Sequence, residues 1–342
     1  MKILVTVDPE IPVPPKEYGG IERIADGLIK EYVANGHTVI LLAHPSSTCE
    51  SANKIIGWDA GQSRGTKNIW KNAKQLLRVV KAEKPDVVHS FSRLLYLYPL
   101  FFFTKVPVLQ SYQREISTIS TDLARSIAGK RLLFTACAGF LYGGFRNSGI
   151  WTTIPNFTNT DYYVPDKTVE KDILFFLGRI QEIKGTKEAI DTAILSNQKL
   201  VIAGNVPPEH QDYFNQEVKP HLNNPLIAYV GAVDDEQKKY YLQRSKALLF
   251  PIKWEEPFGI VMAESMACGT PVIAFERGSV TEVIENGVNG YIVNSTQEMV
   301  EAIDRLPYIS RDIVRNYCET SFSQQVVAQS YLELLTNVQK RV

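Results

Sequence analysis

The sequence predicts an α/β protein made of two doubly wound domains, each with a parallel sheet. Its 342 residues are enough for two domains of ordinary size. Short apolar runs typical of buried parallel strands alternate with helix-length segments in both halves of the chain. The first alternation begins at Lys2 and the second at Ile173. We therefore expect an N-terminal and a C-terminal α/β domain.

The composition is that of an ordinary globular protein, and its balanced charge leaves a local basic patch open. The 37 Lys and Arg residues balance the 37 Asp and Glu residues, so nothing indicates a nucleic-acid partner. The N-terminal MKILVTV runs straight into a strand, unlike a signal peptide. The cysteines are widely spaced and form no CxxC pair, which favours reduced thiols and a cytoplasmic protein. They are Cys49, Cys137, Cys268 and Cys318.

The first half opens with a strand, a glycine loop, a helix and a second strand. The strand covers Lys2–Val7, and Gly19 and Gly20 open a helix that runs from about Ile21 to Asn35. This order is typical of the phosphate-binding side of a doubly wound domain. Taken alone, the glycine pair is equally compatible with a tight turn that binds no ligand.

The rest of the first half carries two ambiguous features. After a variable loop (residues 45–68), a helix from Trp70 to Glu83 leads to a short strand that ends at His89. Ligands bind at the carboxyl ends of such strands, so His89 is either a functional residue or a packed core residue. The apolar run Leu94–Phe103 is too short to span a bilayer. It is either a buried helix or a surface that contacts a membrane or a hydrophobic acceptor.

The second half continues the alternation of strands and helices. Asp234 and Asp235 are best explained as the capped start of a helix, and we predict no metal site there. Glu282 lies near the N-terminus of a short helix. The helix dipole favours an acid at this position even without a ligand. The main predicted elements are a strand Ile173–Leu177 and helices Thr186–Ser196, Pro208–Lys219, Thr296–Arg305 and Phe322–Val342.

The stretch PIKWEEPFGIVMAESMACGTPVIA, residues 251–274, predicts a loop, a helix, a turn and a strand. Pro257 suits the position just before the helix or its first turn, and Gly259 allows a ligand to approach the backbone. The start of the helix offers unpaired N–H groups and a positive dipole end, which suit a phosphate. Glu256 precedes the helix and Glu264 lies about one turn inside it. Two acids beside an anion site indicate a ligand with hydroxyls and phosphate, such as a nucleotide sugar.

This stretch, with Glu-x7-Glu followed by GTPVIA, resembles the donor site of GT4-type retaining glycosyltransferases. The segment GRIQEIKG is similar to the family's diphosphate-binding segment, and PVPPKEYGGIE resembles a loop that faces the donor diphosphate in some members. The resemblance implies the GT-B fold, with two facing Rossmann-like domains and a last helix that crosses back to the first domain. The implied ranges are 1–158 for the acceptor-side domain, 159–321 for the donor-side domain and 322–342 for the returning helix.

The resemblance also assigns roles to residues. Arg179 and Lys184 would bind the diphosphate, Glu256 the sugar hydroxyls and Glu264 the ribose. The implied catalytic residues are therefore Glu256, Arg179 and Lys184. The implied donor-binding residues are these three together with Gly19, Gly20, Pro257, Phe258, Gly259, Ile260 and Glu264.

The first half departs from the family's pattern at two positions. Phe91 stands where a second histidine is usual, and Gln113 stands where many relatives carry a histidine beside the reacting sugar. Glutamine cannot act as a general base, although it can hydrogen-bond a sugar hydroxyl. Gln113, Arg114, His89 and Glu282 are therefore the weaker site candidates.

The expected function is transfer of a sugar from a nucleotide-diphosphate sugar to a hydroxyl group, with retention and without a metal or other cofactor. A UDP-sugar is favoured, and GDP- or ADP-sugars are possible. The acceptor would be a saccharide, a glycolipid or a small molecule. We expect no nucleic-acid partner and no transmembrane segment, and peripheral membrane contact is possible. The alternatives are a nucleotide-sugar epimerase or hydrolase on the same fold, and a non-catalytic sugar-binding protein.

Overall fold

The computed structural model describes residues 1–15, 19–145 and 150–341, and it divides the chain into two compact units. The N-terminal unit comprises Met1–Asn156 and Gln324–Val342, and the C-terminal unit comprises Phe157–Ser323. The sequence-based ranges 1–158, 159–321 and 322–342 divide the chain close to these positions. Residues 16–18 of the PVPPKEYGGIE loop and the last residue of the predicted final helix lie outside the described residues.

The N-terminal unit is built on a seven-stranded parallel sheet in the order β3-β2-β1-β4-β5-β6-β7. The strands Lys2–Thr6 and Thr38–Ala43 are mostly apolar and buried, as a sheet covered on both faces requires. The strands are β1 Lys2–Thr6, β2 Thr38–Ala43, β3 Lys54–Gly57, β4 Val87–Ser90, β5 Val108–Tyr112, β6 Leu132–Ala136 and β7 Trp151–Thr153.

The helices of this unit correct two predictions. The helix predicted from Trp70 begins four residues earlier, at Thr66. The run Leu94–Phe103 forms a 3₁₀ turn and then a short helix, and Phe102 and Phe103 at its end are 64% and 66% exposed, so the expectation of a buried helix is wrong for these two residues. The helices are α1 Gly20–Ala34, α2 Thr66–Glu83, α3 Tyr98–Phe103 and α4 Thr118–Ala128.

The C-terminal unit has a six-stranded parallel sheet in the order β10-β9-β8-β11-β12-β13. From β8 the chain proceeds outward on one side and from β11 on the other, so a topological switch point lies between these two strands. The strands are β8 Ile173–Leu177, β9 Lys199–Ala203, β10 Ile227–Gly231, β11 Ser245–Phe250, β12 Val272–Phe275 and β13 Gly290–Val293.

The helices of the C-terminal unit also differ in part from prediction. The helix expected over Pro208–Lys219 is instead a succession of short 3₁₀, α and π turns. The helices are α5 Thr186–Leu195, α6 Gln211–Tyr213, α7 Asp235–Arg244, α8 Ile260–Ala267, α9 Val280–Val283, α10 Thr296–Arg305 and α11 Arg311–Phe322.

The chain ends in α12, Gln324–Gln339, which returns to the N-terminal unit. It packs on α1, β4 and β5, and Gln324 donates a hydrogen bond of 2.8 Å from Nε2 to Oε1 of Glu31. The final helix predicted from Phe322 therefore begins two residues later, at Gln324, because Phe322 is the last residue of α11. Among the described residues, none of the helices is long and apolar enough to cross a bilayer.

Candidate active site

The candidate site lies at the carboxyl ends of β8 and β11, on either side of the switch point of the C-terminal unit. The chain leaves β8 through a loop and a 3₁₀ turn, Glu182–Lys184, before α5 begins. It leaves β11 through residues 251–259 before α8 begins. Because the two strands pair directly, these two loops emerge side by side from the same edge of the sheet.

The two loops bring Lys184 and Glu256 together, although these residues are 72 positions apart. Nζ of Lys184 lies 2.5 Å from Oε2 of Glu256, and both side chains are less than one-fifth exposed. Trp254 completes the cluster, since its Nε1 donates to the same carboxylate oxygen at 3.0 Å. The Lys184 ammonium also lies 5.0 Å from the centre of the Trp254 ring. A partly buried cation is thus held in one place by a carboxylate and an aromatic face.

A third loop, after β12, holds the backbone of the Glu256 segment in position. The Ser279 amide donates to the carbonyl oxygen of Glu256 at 3.0 Å, and its Oγ donates to the carbonyl oxygen of Phe258 at 2.9 Å. The Gly278 amide donates to Oε2 of Glu255 at 2.6 Å. Gly278 has a φ of 55°, and a Cβ there would lie 2.5 Å from the Glu256 nitrogen. Only glycine permits this close approach of the two loops.

Helix α8 begins immediately after this braced segment. Gly259 is its N-cap with a φ of 73°, Ile260 is the first helical residue, and Pro257 lies in the loop before the cap. No side chain among the described residues caps this end of the helix. Phe258, which is 2% exposed, anchors the start of the helix. Its ring packs edge-on against that of Phe322, with 5.6 Å between the ring centres. The N-terminus of α8 therefore presents backbone N–H groups beside the Glu256 segment.

Glu264 lies further inside α8 and is 8% exposed. Its Oε1 is 2.6 Å from Nζ of Lys238, which also lies 3.0 Å from Oδ1 of Asp235. Burial by itself would lower the pKa of Lys238, but the two carboxylates outweigh it and raise that pKa. Lys238 is thus a charged partner that fixes the orientation of the Glu264 carboxylate.

The remaining predicted residues of the C-terminal unit lie around this site. Arg179 is exposed just beyond β8, and Glu282 is exposed in α9. Asp234 caps α7 as predicted, because its side chain accepts from the Gln237 amide at 2.8 Å. Within the residues that the structure describes, no group of three His, Cys, Asp or Glu side chains is arranged to hold a metal ion.

Two family models match the chain, one in each half. The model described as Glycosyl transferases group 1 covers residues 163–313, which include both site loops and α8. The model described as Glycosyltransferase Family 4 covers residues 18–131. The chain belongs to the group 1 glycosyltransferases.

Known proteins show how far the similarity extends. An uncharacterized glycosyltransferase of Methanocaldococcus jannaschii is 26% identical over 326 residues, which cover 81% of this chain and 82% of that protein. Two further relatives match over only 46% and 45% of their own length, an uncharacterized 41.2 kDa protein of Klebsiella pneumoniae (26% identical) and a D-inositol 3-phosphate glycosyltransferase of Thermobispora bispora (28% identical), which cover 48% and 50% of this chain. A glycosyltransferase structure from Rickettsia africae has a TM-score of 0.83 at 19% identity and covers 100% of this chain and 99% of its own. Anabaena HepE, solved with UDP and glucose, has a TM-score of 0.74 at 18% identity, with coverage of 98% and 100%. The fold is GT-B, with a Rossmann-like sheet in each unit.

In this group 1 glycosyltransferase, the predicted residues of the N-terminal unit fall into two groups. Gly19 caps α1 and Gly20 begins it, and a Cβ on Gly19 would lie 2.6 Å from Cβ of Pro15. Arg114, which is exposed, forms an ion pair with Asp8 at 2.8 Å. These residues lie near the carboxyl ends of β1 and β5.

His89 and Gln113 are placed differently from these. His89 is fully buried, with Nδ1 3.1 Å from the Tyr32 hydroxyl and Nε2 2.8 Å from Oγ of Ser111. Its ring also packs 4.8 Å from that of Tyr331 in α12. Burial lowers the pKa of His89 to about 3, so the imidazole is neutral. These contacts favour the interpretation of a packed core residue. Gln113 is partly buried just beyond β5.

Sequence reasoning missed three residues that shape this candidate site of the glycosyltransferase. Trp254 lies only two positions before Glu256, and an indole in a polar loop could have been recognised as a candidate site residue. Lys238 has no local signal, because its pairing with Glu264 joins two different helices. The bracing role of Ser279 depends on the contact between two loops and is likewise invisible in the sequence.

Proposed function

We propose that this glycosyltransferase moves a sugar from a nucleotide-diphosphate sugar to a hydroxyl group, with retention of configuration at the anomeric carbon and without a metal ion. The observation that carries the proposal is the Lys184–Glu256–Trp254 cluster beside the N-terminus of α8. It combines a fixed cation, a carboxylate and backbone N–H groups at one edge of a sheet. A phosphorylated sugar offers the complementary groups, phosphate oxygens and hydroxyls.

Each residue has a distinct role in this proposal. Lys184, Arg179 and the amides that begin α8 stabilise the negative charge that develops on the leaving diphosphate. Glu256 accepts hydrogen bonds from sugar hydroxyls while it keeps the Lys184 ammonium in place. Glu264, oriented by its lysine partner, accepts hydrogen bonds from the ribose. Both carboxylates are pre-positioned before any ligand arrives, which reduces the entropy cost of binding.

The proposed reaction needs no side-chain base. The bond between the anomeric carbon and the phosphate oxygen breaks, and the acceptor oxygen bonds to the same face of the sugar. The acceptor's proton passes to an oxygen of the leaving diphosphate. Gln113, which cannot take up a proton, and His89, whose pKa burial lowers to about 3, are consistent with this route.

A melting-temperature screen with UDP, GDP, ADP, TDP and CDP tests the donor site. A nucleotide at 100 times its Kd adds about 2.7 kcal/mol to the free energy of unfolding, which is readily measured. We expect one diphosphate to raise the melting temperature of the wild type and of Lys187→Ala, but not of Lys184→Ala. UDP is tested first because the structurally similar Anabaena protein was solved with UDP and glucose. A shift that Lys184→Ala retains in full would contradict the proposed role of Lys184.

The matching nucleotide sugars are then tested for turnover. Proton NMR of the product should show the anomeric configuration of the donor, and a chelator should leave the rate unchanged. An inverted product would refute the retaining mechanism, and a rate that falls with the chelator and recovers with added Mg²⁺ would refute metal independence. Free sugar formed at the same rate with and without acceptors would identify a hydrolase instead.

A further inference from the structure

Helix α2 carries a continuous stripe of positive charge that the proposed reaction does not use. Its cations are spaced by four, three, four and three residues, which places them along one face of the helix. All of them are exposed to solvent. This basic stripe consists of Lys67, Lys71, Lys74, Arg78 and Lys81.

The charge of this helix contrasts with that of the whole chain, which has 37 cationic and 37 anionic side chains. The only acid in the sequence of α2 is Glu83, and it is held by Lys54 at 2.5 Å and by Lys2 at 3.5 Å. Within the stripe, Arg78 pairs with Asp59 at 2.6 Å, but both side chains are more than one-third exposed. Exposed pairs of this kind hold their partners only weakly. The stripe therefore presents a local positive field on a chain without net charge.

Large apolar side chains are exposed beside the stripe. Trp70 lies on the same face of α2 and is 64% exposed. Nζ of Lys81 lies 5.9 Å from the centre of the Phe103 ring, so the end of the stripe adjoins the exposed aromatic pair Phe102 and Phe103 of α3. Helices α2, α3 and α4 share one hydrophobic core, and α4 adds two exposed aliphatic residues. These are Ile119, 82% exposed, and Leu123, 52% exposed.

We propose that this basic–aromatic face, the stripe with Trp70, Phe102, Phe103, Ile119 and Leu123, binds the surface of an anionic lipid bilayer. The ammonium groups of the lysines and the guanidinium group of Arg78 would contact lipid phosphates. The aromatic and aliphatic side chains would enter the boundary between head groups and acyl chains. A nucleic acid would match the cations but would leave the aliphatic side chains of Ile119 and Leu123 without an apolar partner. The proposal concerns α2 to α4 and does not depend on the donor chemistry.

Vesicle flotation with the full chain tests this surface. Phosphatidylcholine vesicles are compared with vesicles that also contain phosphatidylglycerol. We expect flotation with the anionic vesicles only, and a marked loss when salt rises from about 0.1 M to about 1 M, because the Debye length falls from about 10 Å to about 3 Å. Equal flotation with both kinds of vesicle, or none with the anionic ones, would overturn the proposal.

Charge-matched variants locate the contact. Each lysine removed from the face should weaken partitioning about fivefold, so Lys67→Gln with Lys74→Gln should weaken it about 25-fold. Lys30→Gln with Lys219→Gln removes the same charge from exposed positions outside the face and should change partitioning less than about twofold. Equal effects of the two double variants would refute the assignment of the face.

Two further experiments test the apolar contact with the bilayer and the alternative of a polyanionic partner. Phe102→Ser with Phe103→Ser should also weaken partitioning, and unchanged flotation would refute insertion of the aromatic pair. Melting temperatures close to wild type confirm that the variants fold, as their exposed positions predict. Heparin serves as a polyanion probe, and heparin binding without vesicle binding would overturn the proposal in favour of a polyanionic partner.

Discussion

Replacement of Lys184 by alanine is the most direct test of the donor site, because it removes a cation whose surroundings are known. The ammonium lies 2.5 Å from the Glu256 carboxylate, and the lysine side chain is 17% exposed. In Lys184→Ala the carboxylate keeps the hydrogen bond from Trp254 at 3.0 Å but loses its charged partner. The variant therefore loses the cation that we propose contacts the leaving diphosphate, and the carboxylate beside it is held less firmly.

The expected effect on catalysis follows from the loss of one preorganised electrostatic group. Such losses lower the rate by about 10²–10³-fold, equivalent to about 2.7–4 kcal/mol of transition-state stabilisation. The effect on folding should be smaller, about 1–3 kcal/mol, because Glu256 retains one donor. Activity is therefore measured well below the melting temperature of the variant, where the two effects separate.

The assay is steady-state release of the nucleoside diphosphate from the donor that the melting screen identifies. Lys187→Ala is the matched control, since this lysine lies three residues later and pairs with Asp191 at 2.5 Å within α5. It should stay close to wild type in kcat/KM. If Lys184→Ala also stays within a few-fold of wild type, Lys184 does not stabilise the leaving group.

The double variant Lys184→Ala with Glu256→Gln shows whether the two residues act separately. If Lys184 contacts the diphosphate itself, the nucleoside diphosphate should still raise the melting temperature of Glu256→Gln nearly as much as that of the wild type. Turnover of this single variant should nevertheless be lower. If Lys184 acts only through Glu256, the double variant should be no worse than Glu256→Gln alone. The second outcome would refute a direct contact between Lys184 and phosphate.

Two further predictions concern the loop after β12 and the buried histidine. Gly278→Ala should displace the Glu256 backbone and lower kcat/KM about 10²-fold, since small misplacements of a catalytic group are costly. Gly287→Ala is its control, because φ there is 81° but an added Cβ meets no described atom within 4 Å, so only strain of about 1–2 kcal/mol is expected. Equal activity of the two variants would refute the bracing role. The depressed pKa of His89, about 3 in the folded state against 6.5, means that the unfolded chain takes up a proton first as pH falls, so stability should decrease from pH 6.5 towards pH 3. At about pH 4.5 the loss should be about 2–3 kcal/mol. Urea titrations should show a shallower acid slope for His89→Gln, and an unchanged slope would contradict the assignment.

The sequence predicted those parts of the molecule whose signal is local. The Pro251–Ala274 stretch predicted the helix α8, although not that Gly259 is its N-cap, and the segment before α5 predicted a cation at the end of β8. The capping acid of α7 was likewise evident, since Asp234 bonds to an amide three residues later. In each case, the residues that define the element lie within one turn or loop of one another.

The elements that sequence reasoning missed depend on distant contacts. Strand β3 has only two apolar residues and lies at the edge of the sheet, so the region 45–68 resembles a loop. The segment after Pro208 has no regular apolar period, and its backbone forms short turns, the last of which contacts β10. The exposure of Phe102 and Phe103 could not be deduced from the sequence. An apolar run does not reveal which of its side chains are covered by neighbouring elements.

The pairing of Lys184 with Glu256 shows how topology adds to such local signals. The two residues were predicted separately as diphosphate and sugar ligands, and only the adjacency of β8 and β11 makes them neighbours. Without a ligand, each would otherwise be a partly buried charge with a desolvation cost and no compensation. The ion pair offsets that cost and keeps the ammonium and the carboxylate in place between catalytic cycles. A diphosphate would then share the ammonium with Glu256. For this reason we expect the Glu256→Gln variant to bind the diphosphate nearly as well as the wild type while its turnover is lower.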